Sequence, residues 1–185
     1  YAAAKGSPQI EALRARGVEV LLMFDRIDEW MLGYLGEYAG KKLKNVAKGE
    51  LDLDKLPLPE GQDAAARQAA AQAAAGVLAR VKELLGERVK DVRVSQRLTD
   101  SPACLVLDDY DMALHLQRVL REAGHDVPAA SPVLEINPSH ALVRRLEAEA
   151  DACRAAELAL LLLEQAQLLE GAQLEDPAAF VRRLN

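Results

Sequence analysis

The stretch that most limits what this chain can fold into lies near its end: Leu158-Ala159-Leu160-Leu161-Leu162-Leu163, continued by Ala166, Leu168 and Leu169. It sits in a helix-favouring run from Ala152 to Glu170, stopped by Gly171. A helix that is apolar on nearly every side must be covered from more than one direction. Each fully buried Leu gains roughly 1.5–3 kcal/mol over an exposed one, so leaving several in water is heavily disfavoured. One reading wraps this helix inside its own domain. The other notes that few elements remain near the chain's end to cover it. Together with the preceding amphipathic helix of Leu142, Val143 and Leu146, it would then form half of a four-helix bundle completed by a twofold partner. On that reading the dimer interface comprises Leu142, Val143, Leu146, Leu158, Leu160, Leu161, Leu162, Leu163, Leu168 and Leu169.

The 185 residues are enough for one large domain or two small ones. Only 4% are aromatic, so the core must be built from Leu, Val, Ile and Ala. A net charge of -6, with both signs well mixed, argues against a nucleic-acid surface and for protein partners. Cys104 and Cys153 stand in unrelated contexts and read as reduced, partly buried side chains. No signal peptide is visible, and the longest apolar run is far short of the ~20 residues that span a bilayer. A soluble, cytoplasmic setting without membrane contact is the expectation. The chain opens Tyr1-Ala2-Ala3-Ala4-Lys5 without Met, as a piece of a longer protein would.

Pro8 to Arg16 reads as a short helix stopped by Gly17, and Val18 to Phe24 as a strand buried on both faces. Asp28 can cap a helix over Glu29 to Tyr38, and Leu43 to Val46 can form another strand. Pro57, Pro59 and Gly61 mark a boundary. Beyond it, Asp63 to Leu85 is Ala-rich helix with a Val77, Leu78, Val81, Leu84, Leu85 stripe, ending at Gly86. Val89 to Val94 and Ala103 to Leu107 suggest a hairpin or neighbouring strands around Thr99-Asp100-Ser101-Pro102, with Pro132 to Ile136 as a third strand. Asp108 and Asp109 open a helix closed by Gly124, and Asp176-Pro177 opens a last short helix. The fold class is α+β, a small α/β subdomain followed by a mixed domain with a short sheet and a helical dimerisation bundle. The boundaries fall at residues 1–56, a linker at 57–62, and 63–185.

The catalytic inventory is thin. His115, His125 and His140 share no metal-ligand spacing with one another or with the cysteines, so no metal is expected. Gly33-Tyr34-Leu35-Gly36 lacks the strand-then-glycines context of a phosphate loop. Asp25, Asp28 and Glu29 follow a strand, where α/β proteins place functional groups, but they read more simply as a cap and first-turn acids. Two further features ask for partners. Met112, Leu116, Val119, Leu120 and Ala123 form a helical stripe that is either core or an exposed patch for unfolded segments, and Trp30 raises the same choice.

The strings Gly86-Glu87-Arg88-Val89-Lys90-Asp91-Val92-Arg93, Arg97-Leu98-Thr99-Asp100-Ser101-Pro102-Ala103, Leu134-Glu135-Ile136-Asn137-Pro138-Ser139-His140 and Leu174-Glu175-Asp176-Pro177 with Phe180-Val181-Arg182-Arg183 closely resemble the carboxy-terminal domain of the bacterial heat-shock protein 90 family, the HtpG chaperones. Upstream, Gly17-Val18-Glu19-Val20-Leu21-Leu22 and Asp25-Arg26-Ile27-Asp28-Glu29-Trp30 resemble the end of that family's middle domain. The resemblance runs in order along almost the whole chain and is weakest from Leu56 to Leu78. It implies a homodimerising, client-binding segment of an ATP-dependent folding chaperone of the stress response. It also implies that the ATPase site, with ATP and magnesium, belongs to the full-length protein and lies outside this chain. The resemblance implies client contact through Trp30, Met112, Leu116, Val119 and Leu120, with unfolded or partly folded proteins and other chaperones as partners. Two departures bear on client preference: Gly33 stands where the family often has Asn, and Leu116 where Met is common. The competing reading is a purely structural dimerisation module without client contact.

Overall fold

The computed structural model describes residues 1–25, 27–49, 51, 53, 69, 71–108, 111, 117, 120, 124 and 131–185. These residues form an α+β structure whose centre is a three-stranded mixed sheet. Strands β3 (Asp91–Val94), β4 (Ala103–Val106) and β5 (Val133–Ile136) lie in the order β3-β5-β4. β5 pairs in parallel with β3, in register Val92 to Leu134, and antiparallel with β4, in register Leu105 to Leu134. The two strands expected to be neighbours are therefore separated by the third. Thr99 to Pro102 still forms the turn-rich connection, but it swings the chain across the width of β5. Every residue of β4 and β5 is buried, the pattern of a sheet covered on both faces.

Three helices cover the sheet. α4 (Ala75–Leu85) presents Val77, Val81 and Leu85; α5 (Ala141–Ala148) presents Val143 and Leu146; α6 (Ala152–Leu169) presents Ala159, Leu162, Leu163 and Ala166. Their ends follow local chemistry. Gly86 takes a positive φ of 57° to close α4, and His140 caps α5 by accepting the Leu142 N–H at Nδ1, 3.1 Å away. Asp151 caps α6 through the Arg154 N–H at 2.9 Å. A final helix, α7 (Pro177–Leu184), opens on the Asp176 cap with Pro at its first position, as expected.

The sequence argument that one subunit could not shelter the leucine run is corrected here. α6 packs against β4, α4, α5 and α7 at once, so Leu161, Leu162 and Leu163 are buried within this chain, as are Val143 and Leu146. What looked like an all-round apolar surface is a helix in the centre of its own domain, enclosed by elements that lie both before and after it in the chain.

The amino-terminal part is built differently. α1 (Ala2–Lys5) leads to a 3-10 turn over Pro8–Ile10 that continues into α2 (Glu11–Ala15), close to the helix read from the sequence. Ala12, Leu13 and Leu53 form a second, small buried cluster. Val18 to Phe24, expected as a strand buried on both faces, is extended without strand pairing, and Leu21 and Phe24 are exposed. A parallel strand needs flanking strands to take its N–H and C=O groups, and among the described residues no strand lies beside it. Leu43 to Val46 is likewise not a strand; its place is taken by a two-residue hairpin, β1 (Glu37–Tyr38) with β2 (Lys41–Lys42). α3 spans Asp28–Tyr34, and Asp28 lies inside it rather than capping it, accepting the Asp25 N–H at Oδ2. The boundary at residues 57–62 and most of the helix after Asp108 lie outside the described residues.

Leu162 is fully buried where α6 meets the sheet. Leu162→Ala is expected to cost about 2–5 kcal/mol of unfolding free energy, read from urea denaturation.

Candidate functional site

Two apolar surfaces and one buried polar junction stand out. The first surface is α3. Ile27, Trp30 and Tyr34 recur at helical spacing, so they share one face, and that face is in water: Trp30 is 64% and Tyr34 90% exposed. Phe24, which stacks edge-on against Tyr1 with ring centres 5.7 Å apart, and Leu21 extend the exposed apolar character along the preceding segment. Of the residues expected to meet clients, Trp30 is therefore exposed, and Leu120 is helical and partly buried. Met112, Leu116 and Val119 lie outside the described residues.

The second surface lies where α6 ends and α7 folds back on it. Leu168 and Leu169 are 42% and 48% exposed, and Val181 and Leu184 are more than half exposed. α7 is clamped in place by Arg183, whose Nη1 donates to both Glu164 oxygens at 2.6 and 2.7 Å while its Nε donates to Glu157 at 2.5 Å. Of the expected dimer residues, Leu142, Leu158 and Leu160 are partly buried, while Val143, Leu146, Leu161, Leu162 and Leu163 belong to the chain's own core. The leucine run thus divides into an inner stretch that stabilises the subunit and an outer pair that remains available.

The polar junction was not read from the sequence. Arg97 is only 2% exposed, and its guanidinium donates to the Val46 and Gly49 carbonyls while its Nε meets Glu135 at 3.3 Å. Glu135, on the central strand, is itself buried and also accepts from Arg93 Nε at 3.0 Å and from the Ser95 hydroxyl at 2.8 Å. Burial pulls the Arg97 guanidinium below its ordinary value, against the opposing pull of Glu135. The Arg97 carbonyl accepts the Ala12 N–H at 2.8 Å. Beside it, Glu11 accepts the N–H groups of Thr99, Asp100 and Ser101 and the Ser101 hydroxyl. Burial would raise the Glu11 carboxyl, but these donors outweigh it and hold it below the usual range. The junction ties the amino-terminal helix and residues 46–49 to the sheet. One signal could have found it: Glu135 is a lone charge inside the apolar run of β5.

His140 serves as a helix cap, and Cys104 is a buried thiol held protonated by burial and by the nearby Glu135 charge. His115 and His125 lie outside the described residues, and Cys153 is exposed. Among the described residues no three His, Cys, Asp or Glu side chains converge to hold a metal ion, and no helix is long and apolar enough to cross a membrane.

The family model described as Hsp90 protein matches residues 1–185. Curated relatives include the chaperone protein HtpG of Methylococcus capsulatus, 50% identical over 186 residues, and that of Halorhodospira halophila, 52% identical over 185. The chaperone protein HtpG of Methylibium petroleiphilum is 53% identical over 184 residues. Each match covers 100% of this chain and 29% of the relative, so the chain spans under a third of the length of these proteins. The matches correct one expectation. The separation of this chain from an ATPase role, and from ATP and magnesium, is withdrawn, because the Hsp90 model takes in the chain from end to end. With every residue inside the family model and half of them identical to HtpG relatives, the chain belongs to the Hsp90 family of chaperones.

Proposed function

We propose that this chain is a homodimerising, client-binding segment of a cytoplasmic, ATP-dependent chaperone that assists protein folding. In this reading residues 1–56 are the closing part of the middle domain, 57–62 a linker and 63–185 the carboxy-terminal dimerisation domain. The observation that carries the dimer is the apolar pair Leu168 and Leu169, left in water beside Val181 and Leu184 although Leu161, Leu162 and Leu163 of the same helix are buried. An apolar patch formed by two helices at one end of a domain is the self-complementary kind of surface a twofold partner covers. Leu142, on α5, and Leu158 and Leu160, on α6, are only partly buried and extend the proposed contact.

Client contact rests on α3. Aromatic side chains exposed on one helical face bind apolar segments of many sequences, because the gain scales with buried area rather than with a particular partner. Trp30 is the centre of that face, and Leu120, Met112, Leu116 and Val119 are proposed to act with it. The alternative, a structural dimerisation module alone, leaves the exposure of Trp30 and Tyr34 without a role.

Two measurements test the two halves separately. Leu168→Glu with Leu169→Glu is expected to shift the mass seen by light scattering from two copies to one at micromolar concentration, with the circular dichroism spectrum kept. A dimer that persists in this variant would remove α6 from the interface. Trp30→Ser is expected to leave the melting temperature within about 2 °C, as exposed substitutions do, and to weaken suppression of aggregation of a chemically unfolded client several-fold. Unchanged suppression would favour the structural module.

A further inference from the structure

Gln9, in the 3-10 turn before α2, is 3% exposed, and its amide is only half satisfied. Its Nε2 donates both hydrogens, one to the Leu105 carbonyl of β4 at 2.9 Å and one to Glu170 Oε1 at 2.7 Å. Its Oε1 is buried and has no hydrogen-bond partner among the described residues. The amide cannot be turned around, since its oxygen would then face two acceptors. A buried amide oxygen without a donor keeps the full cost of its desolvation, so the site calls for a donor beside the Glu170 carboxyl.

We propose that Glu170 is a proton-operated latch: when its carboxylate takes a proton from a hydronium ion, the new O–H donates to Gln9 Oε1 while Glu170 Oε1 keeps accepting from Gln9 Nε2. A neutral carboxylic acid and a primary amide pair in this way, one hydrogen bond each way. Only the O–H bond to the carboxylate forms, and the hydronium ion that gives the proton becomes water. Protonation thereby fastens the turn leading into α2 onto the residue that caps the long helix, two points 161 residues apart in sequence.

The surroundings favour the neutral acid. Glu170 follows the last turn of α6, where outward carbonyls disfavour a negative charge. Burial raises its carboxyl above the ordinary glutamate value, opposed by the Gln9 hydrogen bond. The charged groups near it are few among the described residues. From β4, Cys104 faces it as a protonated thiol, with Arg97 and Glu135 acting on that same thiol. From the amino-terminal side Gln9 is uncharged, and the neighbouring Glu11 is engaged with Thr99, Asp100 and Ser101. On α6 itself Glu164 and Glu157 are taken by Arg183. No cation among the described residues is paired with Glu170.

The sign follows from linkage. A carboxyl raised in the folded state keeps its proton where the unfolded chain has lost it, so stability falls as pH rises from the ordinary glutamate value through the folded one. Glu11 is shifted the opposite way and acts at lower pH. Thermal melts of the intact chain from about pH 5 to 8.5 test this, comparing wild type with Glu170→Gln, which presents a permanent N–H donor to Gln9 Oε1. The variant is expected to gain about 2–4 °C over wild type at the alkaline end, the gain shrinking as pH falls. Adding Gln9→Ala to Glu170→Gln is expected to abolish it. A difference between wild type and Glu170→Gln that is constant with pH, or no gain at alkaline pH, overturns the latch. So does a carboxyl-carbon NMR titration of wild-type Glu170 with its midpoint at or below the ordinary glutamate value, a readout that needs no variant.

Discussion

The structure turns on one buried cation. Arg97 sits almost without solvent between the sheet and the segment around Val46 to Gly49, and a guanidinium in such a place survives only if each of its nitrogens has a partner. Two backbone carbonyls and Glu135 meet them, and Glu135 is in turn fixed by Arg93 and Ser95. Hydrophobic contact between the two clusters would tolerate sliding. A directional network that connects a loop, the central strand and, through the Arg97 carbonyl, the first turn of α2 does not. The orientation of the amino-terminal elements against the sheet is therefore set by hydrogen-bond geometry more than by apolar area.

Where the chain carries its own local instructions, the sequence was readable. Asp176-Pro177 opened α7, Gly86 closed α4, and the run from Ala152 to Glu170 formed α6 nearly as drawn, because caps and propensity act within a few residues. Val18 to Phe24 failed for the opposite reason: its pattern suits a strand, but a strand exists only with neighbours, and pattern cannot supply them. The order β3-β5-β4 was hidden in the same way, since Val94 and Ala103 are close in sequence yet both pair with Ile136 of a later strand.

The candidate sites divide along the same line. That Leu158 to Leu169 must be covered was legible from composition. Which leucines face the sheet and which face water was not, because it depends on how α6 lies across β4. Trp30 could be singled out as one of a kind, but its exposure follows from the shortness of α3 and the lack of anything packed over Ile27 and Tyr34. The Arg97 junction was hidden among ordinary polar residues, with only the charge inside β5 to betray it. Family membership, carried by long matching strings, reached further than residue-by-residue reading could. It also withdrew the separation from ATP chemistry that the resemblance to the carboxy-terminal domain had implied.

The strand order has a consequence for the growing polypeptide. β3 and β4 emerge from the ribosome first, and neither can bond to the other, because the place between them belongs to a strand not yet made. Until Ile136 is out, both carry open edges, which are the surfaces most prone to pairing with the wrong neighbour. A protein of a chaperone family thus passes through a nascent stage in which its own sheet edges await a late-arriving keystone.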